Sequence, residues 1–150
     1  MLYYRRLERS EIDDFITLRI RQLQEEGEQA DCDLAPCLKA YYNRHWDDGS
    51  FVSWIAEEDG EIVATSGMSF VEKPPYYGNP SGKVGLLSSM YTRKEYRRRG
   101  IAKELLRLVV EEARGSGCGM VQIAASDMGM LLYRDFGFEE NRNFMQLKLL

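Results

Sequence analysis

The stretch from Gly85 to Leu106, GLLSSMYTRKEYRRRGIAKELL, sets an apolar strand-like run, a basic loop, a single glycine and an amphipathic helix in immediate succession. A chain with that order turns from a sheet into a helix within a few residues, so the helix starts where a strand ends. Such a start attracts anions: its backbone N–H groups point outward and the helix dipole adds about half a positive charge. Gly100 removes Cβ where main chain and anion meet closely, and Ala102 keeps the next approach small. Arg93, Lys94, Arg97, Arg98, Arg99, Lys103 and Arg107 crowd the same stretch, opposed only by Glu95 and Glu104. The whole chain nevertheless carries a net charge of −4. That balance argues against general nucleic-acid binding, which needs a basic face, and favours a small phosphate-bearing ligand drawn to one local patch.

With 150 residues, 44% hydrophobic and 29% charged, the chain is expected to form one globular domain spanning residues 1–150. No apolar run approaches the roughly 20 residues needed to cross a bilayer. The opening MLYYRRLERSEIDD lacks the apolar core of a signal peptide. A cytoplasmic location with no membrane partner is therefore expected. Cys32, Cys37 and Cys118 are odd in number, form no Cys-x-x-Cys and have no histidine cluster beside them. They are expected to stay reduced, with no metal site.

Periodicity supplies the elements. Leu2–Leu7 predicts a strand. Ser10 is the expected cap of a helix whose apolar face runs Ile12, Phe15, Ile16, Ile20 and Leu23, with Gly27 as its stop. A second helix is expected from Leu34 to Asp47, with Pro36 in its first turn. Phe51–Glu57 and Glu61–Val71 read as strands joined by a hairpin at Asp59-Gly60. Lys73–Lys83 holds three of the four prolines and is expected to be a loop. Val84–Thr92 is a strand, and Ile101–Gly115 a helix with the stripe Leu105, Leu106, Leu108, Val109 and Ala113. Met120–Ala125 is nearly apolar on both alternating sets, as in a strand covered on both faces. A short helix over Asp127–Asp135, with Phe136 and Phe138 packing in the core, and a last, weakly alternating strand over Asn143–Leu149 complete the expectation.

Arg97-Arg98-Arg99-Gly100-Ile101-Ala102 fits the pattern (Arg/Gln)-x-x-Gly-x-(Gly/Ala), the strand before it ends Met90-x-Thr92, and Leu131–Phe138 reads LLYRDFGF, close to LYxxxGF. Together, in this order, they resemble the GCN5-related N-acetyltransferases, the GNAT superfamily. The resemblance covers Val84 onward; the N-terminal half agrees in element order. It implies a three-layer α/β/α sandwich with a central mixed sheet, splayed between the fourth strand (Val84–Thr92) and the fifth (from Met120).

The resemblance further implies acetyl-CoA as co-substrate and a small-molecule or peptide amine as acceptor; direct attack in a ternary complex is the expected route, since no cysteine or serine has a recognisable nucleophile setting. It places the pyrophosphate on the loop Arg97, Arg98, Arg99, Gly100, Ile101, Ala102 and Lys103. The pantetheine arm falls along Met90, Tyr91 and Thr92, where an N–H near Met90 would also meet oxyanion charge. A further polar contact falls at Ser126, where the family often has asparagine, and Tyr133 becomes the acid facing the departing thiolate. Many members carry a second glycine at position 98. No general base is assigned: most of Glu25, Glu26, Glu28, Glu57, Glu58 and Glu72 read as surface charges, and His45 as structural or exposed. Tyr41, Tyr42, Trp46, Tyr76 and Tyr77 either wall the acceptor side or serve core and interfaces. The competing readings are a non-catalytic CoA-binding sensor, an acyltransferase for another acyl-CoA, and a nucleic-acid module on Arg93–Arg107. A homodimer is the expected assembly.

Overall fold

A computed structural model describes residues 1–150. Its strands are β1 (Leu2–Arg6), β2 (Phe51–Val52), β3 (Trp54–Glu58), β4 (Glu61–Glu72), β5 (Lys83–Thr92) and β6 (Met120–Gln122). Its helices are α1 (Ile12–Glu25), α2 (Ala35–Asp47), α3 (Ile101–Gly115) and α4 (Met130–Phe136). The sheet runs β1-β3-β4-β5-β6, with β2 also on β4. All pairs are antiparallel except β5–β6, which is parallel. The run Phe51–Glu57 is split at Ser53, whose hydroxyl donates to Ser66 O (2.6 Å). The β3–β4 hairpin closes through Asp59 (φ 53°) and Gly60 (φ 79°), the two left-handed residues of a type I′ turn.

Helices cover both faces, completing the α/β/α sandwich. On one, α1 and α2 bury Phe15, Ile16, Leu18 and Tyr42 against Phe51, Ile55, Ile62 and Tyr91. On the other, α3 presses Ile101, Leu105, Leu106, Val109 and Ala113 onto Ala56, Val63, Ala64, Met68 and Leu87. Gly85 permits that contact: a Cβ there would meet Met68 Sδ at 2.8 Å and Ala113 Cβ at 3.2 Å.

Two features of β5 open the sheet. Its pairing with β6 covers only Val84, Gly85 and Leu86. Its register with β4 slips between Tyr91↔Thr65 and Ser88↔Gly67, so β5 carries one extra residue there. Ser89 absorbs it at φ 56°, and its carbonyl accepts from Thr65 Oγ (2.7 Å). A bulge of this kind increases local twist and bends its strand. The splay therefore lies between the fourth and fifth sequence-read strands, as expected; they become β5 and β6 because the Phe51–Glu57 run forms two.

Several expectations are corrected. Ser10 caps nothing: a 3-10 turn at Arg9–Glu11 leads into α1, and Glu8 N–H donates to Glu11 Oε1 (2.9 Å). The buried face of α1 includes Leu18 and Gln22, while Ile20 and Leu23 are half-buried. That face turns toward β5, whose Met90 carbonyl takes a donor from Gln22. The strand from Met120 stops at Gln122. Asn143–Leu149 pairs with nothing, and Phe136 is exposed. Of the aromatic set, Tyr42 is core, Tyr41 and Trp46 pack on it, and Tyr76 and Tyr77 point outward.

Leu106 is fully buried between α3 and the sheet. Leu106→Ala is expected to lower unfolding free energy by about 3 kcal/mol, read by urea denaturation. A loss under about 1 kcal/mol would mean that α3 is not clamped as described.

Candidate active site

Beyond β5 the chain makes a 3-10 turn at Lys94–Tyr96 and then a loop into α3. Arg98 (φ 65°) and Gly100 (φ 78°) are both left-handed. Glycine adopts that backbone freely, whereas arginine does so at a cost of about 1 kcal/mol. Arg98 nonetheless holds the conformation that a glycine would favour. Gly100 is the N-cap of α3 and offers no side-chain cap. The first helical bond runs from Glu104 N–H to Gly100 O (3.2 Å). The amides of Ile101, Ala102 and Lys103 thus have no carbonyl within the helix. A Cβ at Gly100 would meet no atom within 4 Å, so the space beside this residue is open.

The cations of this region divide into two sets. Arg93 pairs with Glu61 (3.2 Å) and Arg107 with Glu104 (2.6 Å). Arg97 is committed threefold: its Nε donates to Thr92 O (2.8 Å), its Nη2 to Glu25 Oε2 (3.2 Å), and its guanidinium lies 5.7 Å from the Tyr91 ring centre. Arg97 therefore ties the loop to β5 and α1. Lys94, Arg98, Arg99 and Lys103 have no carboxylate partner, although Arg99 lies over the Tyr96 ring at 5.1 Å. They leave net positive charge around the open amides.

From Leu87 to Thr92, β5 has β4 on one edge and no strand on the other. Gln22 Nε2, from the buried face of α1, donates to Met90 O (3.1 Å). The last turn of α1 is thus bonded to β5 through Gln22 and to the loop through Glu25. Sequence reasoning missed Gln22; its one signal was a glutamine at helical spacing from Phe15 and Leu18. Ser89 was missed as well. It is 2% exposed, and its hydroxyl finds no partner.

Tyr133, on α4, is buried among Met68, Leu87, Leu106, Val109 and Ala113, and its ring meets Phe138 edge-on at 5.6 Å. Gly129 makes room for it: a Cβ there would lie 2.7 Å from Tyr133 Cε2. The phenol makes no hydrogen bond within the chain, yet it is not among the sealed unpartnered groups. Burial pushes its pKa up to about 12, and the Glu26 carboxylate at the end of α1 adds to the rise. Tyr133 therefore stays neutral throughout the physiological range. Ser126 caps the turn before α4, its hydroxyl accepting from Gly129 N–H (3.3 Å). His45 Nδ1 lies 2.6 Å from Ser50 Oγ, in a polar cluster closing α2.

The helix-start amides, the cations without carboxylate partners, the strandless end of β5 and the buried phenol of Tyr133 thus belong to elements of one region. The acetyltransferase (GNAT) family model matches residues 12–138, and the chain belongs to this family. It is 34% identical over 116 residues to N-acetyltransferase family 8 member 2 of Rattus norvegicus, covering 75% of this chain and 47% of the relative. It is 32% identical over 115 residues to human N-acetyltransferase 8, covering 72% and 45%. The chain thus spans about half the length of these curated relatives. It superposes with TM-score 0.96 on a predicted acetyltransferase with acetyl-CoA from Clostridium acetobutylicum, at 33% identity over 99% of this chain and 97% of that one. A GCN5-related N-acetyltransferase from Ralstonia eutropha gives TM-score 0.91 at 23% identity, covering 99% of each chain, a likeness of fold. No helix is long and apolar enough to cross a membrane.

The raised Tyr133 pKa makes a signed prediction. A phenol ionising near 10 when unfolded and about 12 when folded contributes fully below pH 10 and loses that contribution as pH climbs toward 12. Wild type is expected to lose about 2 kcal/mol more than Tyr133→Phe between about pH 9 and 11.5, measured by denaturant titration. Parallel losses would show that Tyr133 titrates as an ordinary exposed phenol.

Proposed function

We propose that the chain is an N-acetyltransferase moving acetyl from acetyl-CoA to a primary amine on a small molecule or peptide, by direct attack in a ternary complex. The observation that carries this reading is the left-handed start of α3 beside the end of β5 that no strand covers. The 33% identity with a structure containing acetyl-CoA supports it. Residues 1–150 then act as one acetyltransferase domain. Three free thiols and the lack of a spanning helix are compatible with a cytoplasmic setting.

In this reading the amides of Arg99 to Lys103 hold the pyrophosphate, with Arg98, Arg99 and Lys103 supplying charge. The free edge of Met90, Tyr91 and Thr92 takes the amide-rich arm as an added strand. Arg97 acts mainly by holding the loop against Thr92 and Glu25. Ser126 orders the turn that carries α4. An N–H near Met90 meets the negative charge that grows on the thioester oxygen as the amine attacks.

Tyr133 faces the sulfur. Its phenol is a weaker acid than an alkyl thiol of pKa about 8.5, so complete transfer of its proton to a thiolate is uphill. Tyr133 therefore works chiefly by donating a hydrogen bond as the C–S bond breaks. The amine gives up a proton on becoming an amide, and the thiolate gains one on becoming a thiol, so protons balance over the reaction.

Calorimetry and a coupled thiol-release assay over an amine panel test this reading. Gly100→Asp keeps a residue that tolerates the left-handed backbone but sets a carboxylate over the amides. It is expected to weaken acetyl-CoA at least about tenfold. Tyr133→Phe is expected to bind acetyl-CoA as wild type does and to turn over about a hundredfold more slowly. No measurable affinity of wild type for any CoA species would end the proposal. Tight binding without turnover on any amine would favour a sensor instead.

A further inference from the structure

β5 leaves the regular ladder at Ser89 and Met90, its two residues without a register partner on β4. Ser66 alone stands opposite them. Ser89 takes a left-handed backbone (φ 56°), which is costly for a residue that carries a side chain. Its hydroxyl is sealed from water and finds no partner. Both departures work against stability, and strain of this kind gathers at functional sites.

Side chains hold the bulge from two elements. Thr65 Oγ, on β4, donates to Ser89 O (2.7 Å). Gln22 Nε2, on α1, donates to Met90 O (3.1 Å). The carbonyls on either side of the Met90 nitrogen are thus both fixed. The chain has no cis peptide bond, so the C=O and N–H of the Ser89–Met90 peptide point in opposite directions. With Ser89 O drawn to Thr65, the Met90 N–H points away from Thr65. Here β5 has β4 on one edge and no strand on the other. Thr65 is buried and follows the apolar run Ile62, Val63 and Ala64. Its hydroxyl is not needed on the β3 side of β4, where Ser66 Oγ donates to Trp54 O (2.7 Å) and accepts from Trp54 N–H (3.2 Å). The Thr65 hydroxyl serves the bulge.

We propose that Thr65 is a positioning residue for acetyl transfer: its hydroxyl holds the Ser89 carbonyl so that the Met90 N–H stays aimed at the thioester oxygen of acetyl-CoA. The inference rests on the proposed function, which lays the cofactor along Met90, Tyr91 and Thr92. Attack by the amine moves the carbonyl π pair onto that oxygen, and an N–H fixed in advance meets the new charge without reorganising. Without the Thr65 hydroxyl the Ser89–Met90 peptide is free to turn, and the N–H loses its aim. The phosphates, held at the start of α3 in this reading, do not feel the change.

Infrared difference spectra of bound acetyl-CoA, labelled with 13C at the thioester carbonyl, read this hydrogen bond directly, because a donor on the oxygen lowers the C=O stretch. The wild-type band is expected below that of free acetyl-CoA. Thr65→Val keeps the branching and volume but not the hydroxyl. Its band is expected to return toward the free value, with acetyl-CoA affinity by calorimetry within about threefold of wild type and turnover at least about tenfold lower at a similar KM. Thr65→Ser keeps the donor and is expected to match wild type in band and turnover. Thr65→Ala carries the same expectation as Thr65→Val and replaces it should the valine variant not fold. An unshifted wild-type band, equal bands with and without the hydroxyl, or a Thr65→Ser that behaves like Thr65→Val would overturn the inference and leave the proposed function standing. No binding of acetyl-CoA to wild type would end both.

Discussion

Between its registers with Thr65 and Gly67, β5 carries one residue more than β4, and Ser89 takes up the surplus with a left-handed backbone. Thr65 Oγ secures the bulged carbonyl. Everything downstream inherits the resulting bend. Pairing with β6 ends at Leu86, and the last residues of β5 keep one edge without a strand. The loop that follows delivers the start of α3 to the end of that edge. Backbone groups usually find backbone partners; here the carbonyls of Met90 and Thr92 take side-chain donors instead, from Gln22 and Arg97.

The same region concentrates opposite charges in a defined pattern. The chain as a whole is acidic, yet the approach to α3 keeps Arg98, Arg99 and Lys103 free of carboxylates. Arg97 is spent on structure, binding Thr92 O and Glu25. The last turn of α1 works as a strut, with Gln22 on Met90 O and Glu25 on Arg97. Glu26 raises the proton affinity of Tyr133 beyond what burial does alone. The first helix, which carried no recognisable motif, thus ties strand and loop together.

Local signals were legible where the chemistry is local. Gly100, the basic loop and the stripe of α3 were readable because a helix start and an amphipathic face are written in neighbouring residues. The Asp59-Gly60 turn and Pro36 in the first turn of α2 were readable for the same reason. Gln22, Ser89 and the Arg97–Glu25 pair were not. Each owes its role to a residue far away in sequence: Met90, Thr65 and the end of α1. The capping of α1 was misassigned because a 3-10 turn precedes it. The strand at Asn143–Leu149 was read from alternation, which specifies a face for burial but not the sheet that supplies it.

Sequence alone determined the family, the layering of helices over a mixed sheet and the glycine-led, arginine-rich start of α3. Those rest on periodicity and on glycine and arginine at fixed offsets, which hold whatever the surroundings. Tertiary structure decided which arginines remain free, that Tyr133 is buried and hard to ionise, that β5 bulges at Ser89, and that its pairing with β6 ends at Leu86. Charge partners, desolvation and register depend on groups that meet only once the chain has folded.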